Sequence, residues 1–439
     1  MEKIKEILAL SDRDGTTVVT IPLLALAFLL LAVIVMTMMI WSIKKRRHPD
    51  FTIHDHEGIP AVIPSIAGLT HSDLVEGNKI DLLQDGEFFK ELIQSIGKAK
   101  KSINFETFLW KHGKQSKEIV DALCRKAKEG VEVRMLLDGS GGKGIGKDEK
   151  KCLRDAKVKI EKFNRMHPGN IGRLNQRDHR KIVVIDGKVG FVGGHCVVDT
   201  WMGQAQDKKH FRDISAKVEG PIVNRIQSAF SENWIEETGE IIAGTKFFPE
   251  LEPVGTCSTH LAYTTPSGSS SAVEILHYLA IDSAKEQILI QNPYFLPDPE
   301  AIKMLERAVE RGVVVKVMLP AADASDNAIV QHASHHHFGT LLKRGIRIFE
   351  YERTLLHQKV MTVDHIWSAV GSTNFDDRSF ETNDEISLCI IDKGIAEELE
   401  KTFDKDLANT TERFFEEWSK RPLWHKMVDG SAYLLNEQL

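Results

Sequence analysis

The sequence predicts an α/β protein made of two similar halves and preceded by one transmembrane helix. A His-x-Lys-x-x-x-x-Asp motif occurs at 179–186 and again at 357–364, with the same spacing, 178 residues further along the chain. Around each motif, predicted helices alternate with β-branched runs, which is typical of α/β units with buried sheets. Residues 17–43 contain no charged residue, and this run predicts the transmembrane helix that precedes the two halves.

The uncharged run follows a short N-terminal flank, residues 1–16. It is longer than the roughly 20 residues that cross a bilayer as a helix, and too long for the core of a signal peptide. The cluster Lys44-Lys45-Arg46-Arg47 comes directly after it. Because basic flanks stay on the cytoplasmic side, we expect a single-pass protein whose catalytic body lies in the cytoplasm.

Residues 44–77 are predicted to be a basic juxtamembrane and interfacial linker. The apolar stretch 60–69 within it is too short to span a membrane.

The rest of the chain reads as an internal duplication, with half 1 at 78–245 and half 2 at 256–425. A helix end, Gly130 and the apolar run 131–137 in half 1 recur as a helix end, Gly312 and 313–319 in half 2. A glycine just past a helix is a C-cap signal, and the runs that follow have strand composition. The tail 426–439 carries an apolar stripe with cations beside it, so it either docks on the body or lies on a membrane.

Composition excludes some functions. The formal net charge is −6, so the chain lacks the basic footprint of a general nucleic-acid binder, and no nucleic-acid partner is expected. Five cysteines without a CxxC pair argue against a disulfide framework and a structural zinc. The histidines of 332–337 have no carboxylate or cysteine at regular spacing, so we predict neither a metal nor any other cofactor.

The duplicated motif indicates phosphodiester chemistry. Residues two apart on a strand share a face, so His179 with Lys181 and His357 with Lys359 would place two imidazoles and two ammonium groups around one pocket. One histidine can attack phosphorus while the other protonates the leaving alcohol, and the lysines offset the negative charge of the phosphoryl oxygens.

Each imidazole needs a partner on its second nitrogen. Asp213 and Glu385 stand at matching places in the duplication, each just before a strand-like run, and are predicted to orient the histidines. Asp186 and Asp364, which complete the motifs, fall on the opposite strand face and are predicted to be structural.

The motif and several segments around it resemble the phospholipase D superfamily and, within it, bacterial cardiolipin synthases. The resemblance covers about residue 60 to the C-terminus, and its segments are 105–110, 176–181, 292–297, 348–351 and 371–380. It implies two pseudo-symmetric phospholipase D-like halves with central mixed sheets and an active site at their interface. It also implies a phosphatidyltransferase of the bacterial inner membrane, with phosphatidylglycerol as substrate, that makes cardiolipin through a phosphohistidine.

The resemblance further implies that Gly194, Ser372 and Asn374 bind the substrate phosphate. By the same analogy His179 is the nucleophile and His357 the acid/base, although the reverse assignment stays open. The alternatives are a hydrolase or a transferase with another acceptor, a nucleic-acid phosphodiesterase, and an inactive lipid-binding scaffold. The need for a protein partner is left open.

The chain departs from the family pattern at three places. Cys196 stands where the first motif has Asn, and cysteine is a poor substitute for an amide donor. One span is present where many relatives carry two. Asp178 precedes His179 where relatives usually have Asn, which would add negative charge beside the histidine.

Overall fold

A computed structural model describes residues 25–37, 58–164, 176–264 and 271–434. The chain divides into two units, Met1–Thr52 and Ile53–Leu439. In the first unit, residues 25–37 form a helix, α1, with exposed apolar side chains. The predicted span 17–43 extends past these residues on both sides, outside the described part of the chain. None of the described helices has the length and apolarity needed to cross a membrane.

The second unit contains seventeen strands among its described residues. They are β1 (Val75–Gln84), β2 (Ser102–Thr107), β3 (Glu132–Asp138), β4 (Lys159–Phe163), β5 (Ile182–Ile185), β6 (Val189–Gly193), β7 (Ile214–Glu219), β8 (Cys257–Thr264), β9 (Gln287–Gln291), β10 (Phe295–Leu296), β11 (Val314–Pro320), β12 (Arg347–Tyr351), β13 (Val360–Val363), β14 (Trp367–Gly371), β15 (Phe375–Asp376), β16 (Glu385–Ile391) and β17 (Thr410–Arg413).

The helices of this unit alternate with the strands. They are α2 (Ile59–Leu69), α3 (Glu87–Lys98), α4 (Lys114–Lys128), α5 (Lys147–Asp155), α6 (Val223–Thr238), α7 (Ala272–Ser283), α8 (Pro299–Glu310), α9 (Ala328–Lys343), α10 (Asp377–Glu381), α11 (Lys393–Leu407), α12 (Phe415–Ser419) and α13 (Leu423–Tyr433). Side-chain caps begin several of them: Asp298 accepts from the N–H of Ala301 at α8, and Asp392 from the N–H of Ile395 at α11.

Fifteen of the strands form one mixed sheet in which the duplication is visible. The order is β17-β12-β11-β9-β13-β14-β16-β8-β1-β7-β6-β5-β2-β3-β4. Inside the edge strand β17, half 2 contributes β12-β11-β9-β13-β14-β16-β8 and half 1 contributes β4-β3-β2-β5-β6-β7-β1, so every strand of the sheet except β17 has a counterpart. β1 and β8 meet antiparallel at the centre, which makes the two halves one continuous sheet. The predicted α/β fold with two similar halves and a mixed sheet is confirmed.

Both faces of the sheet are covered by helices. Along β5, Val183 and Ile185 pack into a cluster with the apolar residues of α3 and α4. Ile182 and Val184 pack on the opposite side, in a cluster with residues of α6 and α11. Alternate side chains of one strand thus fill two cores, and this explains why the strand is apolar throughout instead of alternating.

Three features differ from the sequence expectations. Part of the predicted interfacial linker is folded: α2 buries Ile59, Val62 and Ile66, because its short apolar face finds a partner in the body. Cys124 of α4 and Cys152 of α5 bring their Sγ atoms next to each other, which their separation in sequence did not indicate. The His-x-Lys pairs precede β5 and β13 instead of lying within them.

Candidate active site

The two His-x-Lys segments meet where half 1 and half 2 face each other. Each is an extended segment that pairs across the joint. The N–H of His179 donates to the carbonyl of Asp384 at 2.9 Å, and the N–H of His357 donates to that of Arg212 at 2.7 Å. These backbone groups are therefore occupied by the opposite half, which is why the regular strands start only at Ile182 and Val360.

Crossed carboxylates hold the two imidazoles. His179 Nδ1 lies 2.8 Å from Glu385 Oε1, and His357 Nδ1 lies 2.7 Å from Asp213 Oδ2. Both carboxylates are completely buried. Because each histidine of one half takes its partner from the other, neither half contains a complete pair. With Nδ1 engaged, Nε2 is the nitrogen left on each ring for chemistry.

The alternation expected of the His-x-Lys segments is present even though the segments precede the strands. Between His179 and Lys181, the side chain of Arg180 points the other way, and its guanidinium donates to the carbonyls of Ala229 and Thr264. Between His357 and Lys359, the amide of Gln358 is likewise buried. The two functional side chains of each segment therefore share one side.

Both lysines are buried beside their histidines. Lys181 Nζ donates to the carbonyl of His179 at 2.5 Å, and Lys359 Nζ donates to that of His357 at 2.6 Å. Lys359 Nζ is also 3.0 Å from each ring nitrogen of His357. Burial lowers the pKa of Lys359 to about 7, because an ammonium loses its hydration there.

The two imidazoles differ in their electrostatic surroundings. Burial and the neighbouring lysines lower the pKa of His179 well below its usual range. Burial and Lys359 lower the pKa of His357 to about 4, although Asp213 works in the opposite direction. Both rings are consequently neutral near pH 7 before an anionic substrate arrives.

The two carboxylates differ more strongly. Burial raises the pKa of Glu385 to about 7, against the opposing effect of Lys181. For Asp213 burial acts in the same direction, but His357 and His195 outweigh it and hold the pKa of that carboxyl below its usual range. Asp213 is therefore ionised at every physiological pH, whereas Glu385 is not fully ionised.

Asp186 and Asp364 lie in tight turns away from the histidines. Asp186 accepts hydrogen bonds from the backbone N–H groups of Lys100, Lys101 and Ser102. Asp364 does the same for the backbone N–H groups of 285, 286 and 287. Each carboxylate thus ties the β-hairpin of its half to the start of a neighbouring strand, a structural arrangement.

The three residues implied to bind phosphate have different surroundings. Asn374 is buried, and its Oδ1 has no hydrogen-bond partner among the described residues. The hydroxyl of Ser372 donates to Glu385 Oε2, so its hydrogen is already used on the orienting carboxylate. Gly194 lies against Asp213, and a Cβ there would come within 2.4 Å of Asp213 Oδ1. Close approach to that carboxylate explains the glycine.

The two departures in half 1 have buried surroundings. Cys196 is buried in the apolar cluster that also contains Phe88 and Trp201. Burial and the carboxylates of Glu106 and Asp384 raise the pKa of Asp178 well above its usual range. Burial and the neighbouring carboxylates thus oppose ionisation of Asp178, against the opposing effect of Arg180.

Trp201 is a site residue that the sequence did not reveal. Its Nε1–H donates to Asp213 Oδ2 at 2.7 Å, the same oxygen that contacts His357 Nδ1. Its ring also packs edge-on against the imidazole of His357, with centroids 4.9 Å apart. Phe108 makes a similar contact with His179 at 5.1 Å. Trp201 belongs to no motif; Phe108 directly follows the carboxyl end of β2, where ligand sites of α/β sheets lie.

One group of described residues has the composition of a metal site. His332, His335 and Asp429 bring their ligand atoms within 4.8 Å of one another. Sequence spacing did not indicate this, because Asp429 lies on α13 and the histidines on α9. In the structure Asp429 pairs with His332 and with Arg421, and His335 pairs with Glu350.

Comparisons with known proteins agree with this geometry. The family model described as cardiolipin synthase, PLD-like domain, matches residues 92–234 and 279–407. The major cardiolipin synthase of Bacillus subtilis (strain 168) is 34% identical over 371 residues, which are 83% of this chain and 76% of that protein. A cardiolipin synthase of Staphylococcus aureus (strain Mu50) is 33% identical over 370 residues, or 83% and 74% of the two chains.

A solved structure shares the fold. The crystal structure of a phosphatidylserine synthase from Haemophilus influenzae superimposes with a TM-score of 0.65 and 14% identity, covering 86% of this chain and 99% of that one.

Proposed function

This chain belongs to the cardiolipin synthase, PLD-like domain family, and we propose that it makes cardiolipin by phosphatidyl transfer between two phosphatidylglycerol molecules. The observation that carries the proposal is the crossed arrangement of two histidine–carboxylate pairs with a buried lysine beside each. These side chains together supply the nucleophile, the acid/base and the two cations that transfer of a phosphatidyl group needs.

The first half-reaction forms a phosphohistidine. His179 Nε2 attacks the phosphorus of the donor phosphatidylglycerol, and an N–P bond forms as the bond from phosphorus to the glycerol oxygen breaks. His357 Nε2 gives a proton to that oxygen, so glycerol leaves as a neutral alcohol. The ammonium groups of Lys181 and Lys359 offset the negative charge that gathers on the phosphoryl oxygens.

The second half-reaction reverses these roles. A free hydroxyl of the acceptor phosphatidylglycerol gives its proton to His357 while its oxygen attacks phosphorus. The N–P bond breaks, cardiolipin is released, and His179 returns to its starting state.

The carboxylates support His179 as the nucleophile. A nucleophile must be an uncharged imidazole, while the acid must carry a proton before the leaving group departs. Asp213 is ionised and stabilises a protonated His357. Glu385 has a pKa of about 7 and is only partly ionised, so it stabilises a protonated His179 less. When the phosphate anion enters and raises both imidazole pKa values, His357 gains the proton first.

The test is product analysis with purified protein and phosphatidylglycerol in detergent micelles. We expect equimolar cardiolipin and glycerol from the wild type, and neither product from His179→Ala or His357→Ala. His112→Ala, which changes an exposed histidine outside the pocket, serves as the matched control. Phosphatidic acid as the main product would show that the protein is a hydrolase and not a transferase. Cleavage of nucleic acid instead of lipid would overturn both of these interpretations.

The proposed cellular setting is the bacterial inner membrane, with one span at 17–43 and a cytoplasmic body. It is supported by the uncharged run and by the basic cluster that follows it. Protease added to spheroplasts should leave the body intact and should digest it only after lysis. Digestion in intact spheroplasts would reverse the orientation.

A further inference from the structure

The C-terminal helix presents an apolar surface to solvent. Five large side chains of α13 and its C-cap are exposed, and we call them the C-terminal stripe: Leu423 (73%), Trp424 (60%), Met427 (64%), Val428 (40%) and Leu434 (83%). With about 100° of rotation per residue, they lie within a sector about 140° wide on one side of the helix. A continuous exposed stripe of this kind marks a contact with another molecule or a membrane.

The opposite side of α13 fixes the direction in which the stripe points. Asp429 is buried and contacts His332 Nδ1 at 2.8 Å. The ring of Tyr433 stacks on His336 with centroids 4.6 Å apart. Ala432 packs into an apolar cluster with Leu296 of β10. α13 is therefore docked on α9 by its polar and small residues, and its large apolar residues are left facing outward.

The charges beside the stripe favour an anionic surface. On α13 itself Lys426 is exposed, while the single carboxylate, Asp429, is buried and paired with Arg421. The preceding helix α12 and its C-cap expose Glu416, Glu417 and Lys420. The outward side of α13 thus combines leucine, tryptophan and methionine with one lysine and carries no carboxylate. This is the composition of helices that lie in the interface of an anionic bilayer.

The stripe is also close to the pocket in the fold. The cluster that receives Ala432 includes Leu296 of β10. β10 pairs with β15, where Leu296 lies opposite Asp376. β15 follows Asn374 directly in the chain, so one packed layer connects α13 with the edge of the site.

We propose that the C-terminal stripe lies in the head-group region of an anionic phospholipid bilayer and holds the pocket next to its lipid substrate. The inference rests on the proposed function for the identity of the substrate. It adds a second membrane contact that belongs to the catalytic body and is separate from the predicted span.

The experiment places a fluorophore on the stripe. Full-length Met427→Cys and a matched control, Ile241→Cys, are labelled and reconstituted into vesicles of phosphatidylglycerol and phosphatidylcholine with or without brominated acyl chains. Ile241 is an exposed apolar residue elsewhere on the body (75%, against 64% for Met427). We expect brominated lipid to quench the fluorophore at 427 at least about threefold more than the one at 241, because only the stripe enters the bilayer.

Activity provides an independent reading. The variant Leu423→Ser/Trp424→Ser/Met427→Ser should lose about tenfold in rate on vesicles and keep its rate on short-chain, water-soluble phosphatidylglycerol. Equal quenching at both positions would overturn the proposal. So would quenching that depends on protein concentration instead of bromine, which would identify a second copy of the chain as the occupant. Because quenching needs no turnover, a chain without transferase activity could still pass or fail this test.

Discussion

Half 1 and half 2 hold their orienting carboxylates with different donors. In half 2, the hydroxyl of Ser372 donates to Glu385. In half 1 the equivalent position is Gly194, which has no side chain, and the indole of Trp201 donates to Asp213 instead. The same fold thus delivers two carboxylates of unlike charge, one ionised and one with a pKa of about 7. A duplicated scaffold can support two different chemical roles when the donors and charges around each carboxylate differ.

Removing each histidine in turn and looking for the covalent intermediate should distinguish the roles of the two halves. With a phosphatidyl ester of p-nitrophenol, whose leaving group needs no acid, His357→Ala should still form a phosphohistidine adduct. Mass spectrometry after a rapid alkaline quench detects it, since the N–P bond is labile in acid. His179→Ala should form none, and its turnover should fall about 10⁴-fold or more. An adduct on His357 in the His179→Ala protein would reverse the roles of the two halves.

Replacing the carboxylates should reveal their unequal charge. Asp213→Asn removes an ionised partner, and we expect kcat to fall about 10³–10⁴-fold, as for the carboxylate of a catalytic triad. Glu385→Gln removes a carboxyl that is already partly protonated, so a loss of about 10–100-fold is expected. Steady-state kinetics in mixed micelles measures both. Equal losses would show that the two pairs work alike.

Trp201→Phe keeps the ring beside His357 but deletes the N–H that reaches Asp213. A hydrogen bond to a charged group is worth about 1.5–3 kcal/mol, so kcat should fall about 10–100-fold. The acidic limb of the pH–rate profile should move as well, because the loss of this hydrogen bond changes how strongly Asp213 stabilises the protonated form of His357. Trp110→Phe, which loses a donor to Ser116 elsewhere in the same half, is the control. A matching loss in the control would reduce Trp201 to a packing residue.

The smallest expected effect concerns pH. Lys359 must be charged to stabilise the phosphoryl oxygens, and burial lowers its pKa to about 7. The charged form is lost as pH rises through that value, so kcat/KM should decline above about pH 7. Lys359→Arg keeps its charge at any pH of interest and should move this decline upward by more than about one pH unit, whatever it costs in absolute rate. An unmoved decline would assign it to another group.

Sequence reasoning reached the fold because the signals were local and repeated. Gly130 and Gly312 end helices at equivalent places, and the apolar runs after them form β3 and β11. It also named His179, His357 and both orienting carboxylates, since motif spacing and strand position were sufficient for that. The crossing of the pairs was out of reach, because it depends on how the halves face each other.

Other features were missed for the same physical reason. Trp201 joins the site through a loop that no periodicity describes, and Asp429 meets His332 only because α13 docks on α9. The raised pKa of Asp178 depends on burial beside Glu106 and Asp384, which are distant in the chain. Contacts between segments far apart in sequence decide these points, and one sequence carries little record of them.

The crossed histidine–carboxylate pairs have a consequence for the evolution of the duplicated chain. Since Glu385 serves His179 and Asp213 serves His357, a substitution in one half changes the chemistry of the other. The two halves differ in sequence, for example at Gly194 and Trp201 of half 1. Each half nevertheless needs the carboxylate of the other, so neither can act alone. A chain cut between 245 and 256 would give two inactive fragments, and activity would return only in a complex that contains both.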